Sequence, residues 1–491
     1  MSMIKVNNLS FRYDTNPNYI FEDVSFVIDT NWKLGFIGRN GKGKTTFLNL
    51  LLGKYEYNGT ITSDITFDYF PFEVKNIELN SYEIAEYYYP NYEQWKLEKE
   101  TSLLDINNII LNKPFKTLSK GEQTKILLAI LFIKDNNFLL IDEPTNHLDI
   151  NARKIVANYL NKKKGFILVS HDRTFLDECI DHVLSINRTN INIEKGNFSS
   201  WYENKQRQDN YELNENNRLK KDIKRLEQSS KRTAEWSNKT EESKYHMTWD
   251  GPIDKGFIGH KAAKLMKRSK VAQGRMEKEI EEKSKLLKNI ETIDNLKLKS
   301  LLNKKGHLIE INKLNIKYGD RIVVSNLSFY LEDGDRLQIK GKNGSGKSSI
   351  IKLILGEEIS YTGDLYLQSN LKISYVSQET SHLSGTLLSY IKNKQLDETL
   401  FKTILRKMDF ERDQFDKKIE EYSDGQKKKV LLATSICEEA NIYIWDEPLN
   451  YIDIFSRMQI ERLIEEYNLT MIFVEHDESF SNKIATKEIC L

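Results

Sequence analysis

Two nine-residue stretches have the composition and spacing needed to hold a polyphosphate. Gly38-Arg39-Asn40-Gly41-Lys42-Gly43-Lys44-Thr45-Thr46 and Gly341-Lys342-Asn343-Gly344-Ser345-Gly346-Lys347-Ser348-Ser349 both follow the pattern G-x-x-x-x-G-K-[ST]. Such a loop lets backbone N–H groups and a helix N-terminus surround phosphate oxygens. Lys44 and Lys347 would reach the outer phosphates, and Thr45 and Ser348 would place hydroxyls on Mg²⁺. Farther along, Asp142-Glu143 and Asp446-Glu447 each end an apolar run and precede a proline. The aspartates would hold Mg²⁺ through its waters. The glutamates, one residue later, would polarise an attacking water. His171 and His476 follow another apolar run and would contact the terminal phosphate.

These groups need elements to position them, and the chain supplies two matched sets. The Gly-rich loop, the segments Leu118-Ser119-Lys120-Gly121-Glu122-Gln123 and Tyr422-Ser423-Asp424-Gly425-Gln426-Lys427, the Asp-Glu pair and the histidine recur at offsets of 303 to 305 residues. Four landmarks in one order at near-constant spacing make the chain a tandem duplication. Strand-like runs open each half (Ile4 to Phe11; Leu308 to Ile316) and lead into each Gly-rich loop (Trp32 to Ile37; Asp335 to Ile339), with a helical pattern after each lysine. Strands alternating with helices predict α/β domains with mainly parallel sheets.

Between the copies lies a stretch of different character, rich in Lys, Glu and Asn. Its sparse apolar residues form two heptad-like stripes, Leu219, Ile223 and Leu226, then Met276, Ile280, Leu287 and Ile290,. Gly251-Pro252 and Gly256 separate them. The pattern predicts two long helices folded back as an antiparallel hairpin, with a loop near 237–258 and a first arm of roughly 50 Å. The expected domains are 1–202, 203–300 and 301–491. From Lys255 to Arg275 there are seven basic residues (255, 261, 264, 267, 268, 270, 275) and no acid, which suits a phosphate backbone. Tyr245, Met247, Trp249, Ile253, Phe257 and Ile258 could stack on bases or pack on one another.

The segments LSKGEQ, DEPTNHLD and SHD resemble the ATP-binding-cassette superfamily, whose signature segment binds the γ-phosphate of ATP held by the opposite domain. The resemblance implies two P-loop cassettes on one chain, an ATPase with ATP and Mg²⁺, and two composite sites. Site one would combine Tyr13, Gly38, Asn40, Gly41, Gly43, Lys44, Thr45, Thr46, Asp142, Glu143 and His171 with Ser423 and Gly425. Site two would combine Tyr318, Gly341, Asn343, Gly344, Gly346, Lys347, Ser348, Ser349, Gln378, Asp446, Glu447 and His476 with Ser119 and Gly121. Tyr13 and Tyr318 would stack on adenine. Two departures stand out: the first half reads Tyr69-Phe70-Pro71-Phe72 where the superfamily carries a Mg²⁺-ligating glutamine, as Gln378 does in the second, and the second signature is YSDGQ.

Two cassettes joined by a helical linker of about 100 residues resemble the ABC-F family of ribosome-binding ATPases. Segments such as HKAAKLMKRSK and YIWDEPLNYID look like its Lsa/Vga group of antibiotic-resistance proteins. That likeness implies protection of bacterial ribosomes from lincosamides, pleuromutilins and streptogramin A, with the linker meeting rRNA and, as an open possibility, tRNA. It also implies a monomer whose cassettes pair intramolecularly, with no DNA partner. Rival readings are a translation factor relieving stalled ribosomes without drug protection, the fused ATPase of a membrane importer, which predicts a short linker, and a coiled-coil DNA-repair ATPase. No basic C-terminal domain follows His476, and no large arm interrupts the first half, which favours the resistance group. Composition fits a soluble chain: 30% charged, 39% hydrophobic, net charge +1. No run of about 18 apolar residues is present, the start lacks a secretory pattern, and three scattered cysteines exclude a disulfide framework. A cytoplasmic location is expected.

Overall fold

A computed structural model describes residues 2–14, 19–134, 137–146, 148–187, 190–242, 264, 267, 270–271, 274–276, 278–279, 296, 298, 301, 306–319, 321–342 and 344–491. The chain divides into one unit made of Met1–Trp201 with Ile293–Leu491, and a second, Tyr202–Thr292.

The first unit holds both copies of the repeat. In the first copy, β1 (Met3–Phe11), β2 (Phe21–Asp29) and β4 (Asn58–Thr62) form an antiparallel sheet in the order β2-β1-β4. Its residues alternate between buried and exposed, as expected of a sheet with one wet face. A second sheet joins β3 (Lys33–Ile37), β5 (Thr66–Phe70), β6 (Asn137–Asp142), β7 (Phe166–Val169), β8 (His182–Asn187) and β9 (Asn190–Lys195) in the order β5-β6-β7-β3-β8-β9. Its central strands are parallel and almost continuously buried, because both faces are covered.

The second copy repeats the plan. β10 (Ile309–Tyr318), β11 (Arg321–Leu331) and β13 (Tyr361–Leu367) pair as β11-β10-β13. β12 (Arg336–Lys340), β14 (Ile373–Val376), β15 (Ile442–Asp446), β16 (Met471–Val474) and β17 (Lys487–Cys490) are ordered β14-β15-β16-β12-β17. Trp445, on the strand that ends in Asp446, is fully buried and donates from Nε1 to Ser435 Oγ at 2.9 Å. That bond ties the strand to the helix Asp424–Cys437; truncating the ring would cost about 3–5 kcal/mol. Leu296 and Leu298, within the stretch that composition assigns to the linker, are buried in this copy's core.

The second unit carries most of a 45-residue helix, Phe198–Glu242, about 65 Å long at ~1.5 Å per residue. Leu219, Ile223 and Leu226 are half-buried, as a stripe at i, i+4, i+7 should be. Residues 264, 267, 270–271, 274–276 and 278–279 are helical, and Lys264, Lys267, Lys270 and Arg275 are exposed. The expected aromatic loop residues 245–258, Lys255, Lys261, Arg268, Ile280, Leu287 and Ile290 lie outside the described residues. No described helix is long and apolar enough to cross a membrane.

Candidate active sites

Each Gly-rich loop leaves the end of a buried parallel strand and turns directly into a helix. Gly43 caps the helix Lys44–Leu51 with φ 95°, and Gly346 caps Lys347–Ile354 with φ 99°. A Cβ at Gly43 would come within 2.4 Å of Ile20, and one at Gly346 within 2.7 Å of Val323, so both geometry and space demand glycine. Lys44 Nζ donates to the carbonyls of Gly38 (2.6 Å) and Arg39 (3.1 Å). Lys347 Nζ does the same to Gly341 (2.9 Å) and Lys342 (3.0 Å). Burial lowers the pKa of both ammonium groups, and an anion in the loop would offset that desolvation. Gly41 and Gly344 take φ near 80°. Asn343 lies outside the described residues.

The residues expected to hold Mg²⁺ meet in pairs. Thr45 Oγ1 donates to Asp142 Oδ2 at 3.2 Å, and Ser348 Oγ to Asp446 Oδ2 at 3.0 Å. Burial raises both carboxyls above their usual range. A hydroxyl beside a desolvated carboxylate is a hard-oxygen set that suits Mg²⁺, and bound there the ion would neutralise phosphate charge.

Glu143 and Glu447 adopt φ of 50° and 47°, a left-handed conformation that costs a side-chain-bearing residue of order 1–3 kcal/mol. The neighbouring strand holds it in place: Glu143 N–H donates to Val169 O (2.9 Å), and Glu447 N–H to Val474 O (3.0 Å). Beyond this shared backbone the two glutamates differ. Glu447 Oε2 accepts from Gln378 Nε2 and from Asn450 Nδ2, each at 2.8 Å. Burial opposes its charge, but His476, Gln378 and Lys347 outweigh it and hold the pKa at about 2. His476 Nε2 stands 3.6 Å from Glu447 Oε1, too far for a good hydrogen bond but close enough for attraction once protonated. Around Glu143, burial and the neighbouring Asp142 push the pKa up to about 8. Its Oε1 is buried without a hydrogen bond, and His171 Nε2 is 3.4 Å away. His171 is held well below its ordinary value by burial and by Lys44 and Arg457.

The missing glutamine contributes to this asymmetry, after burial, Asp142 and the His476 contact. Phe72, at the position matching Gln378, packs against Tyr88 with ring centroids 4.4 Å apart. Tyr69 Oη instead donates to Asp142 Oδ2 at 2.9 Å.

Parts of both cassettes meet at each site. A cavity of about 750 Å³ is lined by Ser119, Gly121 and Lys125 of the first copy and by Gln378, Glu447 and His476 of the second. At the other site Asn40 Nδ2 donates to Tyr451 O at 3.0 Å. A Cβ on Gly425 would lie 2.7 Å from that same carbonyl, so Gly425 is brought to the first loop through Tyr451. Arg39 pairs with Asp409 of the second copy. Ser119 and Ser423 cap their signature helices in reciprocal boxes with Glu122 and Gln426, which explains the S-x-x-[EQ] spacing.

Tyr13 Oη lies 2.9 Å from Thr46 Oγ1 and its ring meets Phe11 and Tyr55 edge-on. Tyr318 Oη donates to Ser349 Oγ at 3.3 Å and is 50% exposed. Sequence reasoning did not single out Asn450 or the Tyr69 hydroxyl. Asn450 was findable, since the repeat places Asn146 at the matching position; the hydroxyl contact required the strand pairing of β5 with β6.

Comparison with known proteins agrees with this geometry. The family model described as ABC transporter matches residues 21–146 and again 324–450. ATP-binding protein Uup of Buchnera aphidicola subsp. Acyrthosiphon pisum (strain APS) is 29% identical over 515 residues, covering 99% of this chain and 80% of that one. Ribosome protection protein VmlR of Bacillus subtilis (strain 168) is 28% identical over 496 residues, covering 100% and 86%. Among solved structures, the archaeal ribosome recycling factor aABCE1, in complex with the ribosomal stalk protein aP1, shares the fold with a TM-score of 0.65 at 19% identity, covering 98% of this chain and 87% of that one. The family match spans more than half of the residues and includes both phosphate-binding loops, so the chain belongs to the ABC transporter family and is an ATPase with two ATP-binding cassettes.

Proposed function

We propose that this chain is a ribosome-binding ATPase of the ABC-F type that protects bacterial ribosomes from antibiotics of the peptidyl-transferase centre: lincosamides, pleuromutilins and streptogramin A. The carrying observation is the 750 Å³ cavity walled by the signature segment of one cassette and the Glu447–His476 pair of the other. Such a site is complete only when the halves close, so ATP occupancy sets their spacing. In site two, Lys347 and the loop backbone hold the phosphates, Ser348, Gln378 and Asp446 hold Mg²⁺, and Glu447 accepts a proton from the attacking water. Ser119 and Gly121 complete the site from the opposite cassette. Site one uses Lys44, Thr45, Asp142, Glu143 and His171 with Ser423 and Gly425, and Tyr13 and Tyr318 stack on the two adenines.

Support for the ribosome comes from the full-length similarity to a ribosome protection protein and from the basic residues Lys264, Lys267, Lys270 and Arg275 exposed on helical backbone. Cations so spaced suit an RNA phosphate backbone.

The test is pelleting of Glu143→Gln/Glu447→Gln with bacterial ribosomes in ATP, followed by drug competition. Retention on ribosomes and displacement of drug are expected. A double variant that sediments free of ribosomes rejects the assignment. Ribosome retention with unchanged drug susceptibility in cells would favour a factor that relieves stalled ribosomes.

A further inference from the structure

The two copies of one arginine make different contacts. Arg457 makes its hydrogen bonds within its own cassette and reaches the first only through its charge: Nη1 donates to Asp477 Oδ2 (2.8 Å), Nε to Ile452 O (2.9 Å) and Nη2 to Leu449 O (3.0 Å). Its counterpart Arg153 begins alike, with Nε donating to Leu148 O (3.1 Å) and Nη1 to Asp172 Oδ2 (2.7 Å). The same Nη1 then crosses to the second cassette and donates to the carbonyl of His476 at 3.0 Å.

The two acceptors belong to different ATP sites. Asp172 follows His171 and caps the helix Arg173–Cys179 by accepting from Phe175 N–H, so its position fixes where the histidine strand of site one turns. His476 belongs to site two, facing Glu447. Arg153 and His476 also both line the cavity of site two. The bridge is largely withdrawn from water, with Arg153 13% and Asp172 6% exposed. A guanidinium stays charged and presents its donors in a rigid plane, so one loop cannot shift without straining or releasing the bond to the other.

We propose that Arg153 is a positioning residue that couples the two ATP sites, one nitrogen holding both the His476 loop of site two and the carboxylate that follows His171 in site one. Occupancy of site one thereby sets turnover at site two. The coupling runs through the first cassette's arginine, because Arg457 directs its donors to its own Ile452, Leu449 and Asp477. This rests on the two-site reading above.

The test isolates site two in the full-length chain. Glu143→Gln leaves site one able to hold ATP without turnover, and Lys44→Ala leaves it empty; in both, hydrolysis comes from site two. Their kcat values are expected to differ at least about five-fold, the lower end of ordinary coupling. Adding Arg153→Gln to both should shrink the ratio below about two-fold. An arginine serving only stability would lower both rates by one factor and leave the ratio intact, and that result overturns the proposal, as does a ratio near one with Arg153 present. Arg153→Lys, which keeps the charge without the planar fork, serves if Arg153→Gln does not fold, with the same expected loss of ratio. If neither Glu143→Gln nor Lys44→Ala changes total hydrolysis or ATP binding, the site assignment fails instead.

Discussion

Arg173 of the first cassette pairs with Glu461 of the second, whose carboxylate is 1% exposed. Neighbouring contacts have the same polarity: Lys154 meets Glu478 at 2.7 Å, and Arg153 reaches the His476 carbonyl. The cations come from the first copy and the acceptors from the second. In the duplication, Ala157 matches Glu461 and Glu478 matches Arg173, so two identical halves could not make this pair. Divergence after duplication favours docking of unlike halves.

Removing one partner of that pair should be costly. Arg173→Met leaves Glu461 buried with Lys483, 3.3 Å away, as its remaining cation among the described residues. A loss of about 2–4 kcal/mol is expected in urea unfolding of the full chain, with much of it recovered in Arg173→Met/Glu461→Met. A single variant as stable as the parent would show that the contact contributes nothing.

The raised pKa of Glu143 makes a prediction about stability and pH. In the folded chain, burial and Asp142 push this carboxyl up to about 8, against about 4.3 unfolded. Between those values the folded state holds more protons, so the residue's contribution declines as pH rises through the window. Without nucleotide, Glu143→Gln should therefore melt higher than the parent at pH 7 to 8, by the equivalent of about 1–3 kcal/mol. The two should coincide below about pH 4. Equal melting at every pH would contradict a protonated Glu143.

Gln378 and Asn450 hold the carboxylate of Glu447, which is proposed to activate the water of site two. In a Glu143→Gln background, Gln378→Ala and Asn450→Ala should each lower kcat about ten-fold, each removing a hydrogen bond to a charged group, with a smaller effect on KM. Unchanged kcat in both would remove these amides from the mechanism.

Tyr69 orients Asp142 where the first half lacks a glutamine. In a Glu447→Gln background, which leaves site one to work alone, Tyr69→Phe should raise the Mg²⁺ concentration for half-maximal turnover about five-fold, as the loss of roughly 1 kcal/mol implies. Tyr375→Phe, at the matching position of the second half, is the control. A flat Mg²⁺ response would show that Tyr69 only packs.

Much of each site could be read along the chain because its parts are local. Gly43 and Gly346 must be glycine for a turn spanning a few residues, and Asp142 and Asp446 end strands whose burial shows as uninterrupted apolar runs. Ser119 and Ser423 are marked by their capping partners three residues later. Phe72 announced by its type alone that the first half lacks the glutamine that Gln378 supplies in the second.

The sequence by itself determined the duplication, the α/β class, the two phosphate loops and the order of the acidic and histidine groups, since each depends on spacing within one segment. Only the tertiary structure decided how those parts act together. Glu143 and Glu447 follow near-identical residues, yet one is driven toward its neutral form and the other stays charged. That difference comes from burial, from His476 and from Gln378, 69 residues away from Glu447. The reach of Arg153 to His476 spans 323 residues and depends on how two cassettes dock, which short-range patterning does not encode.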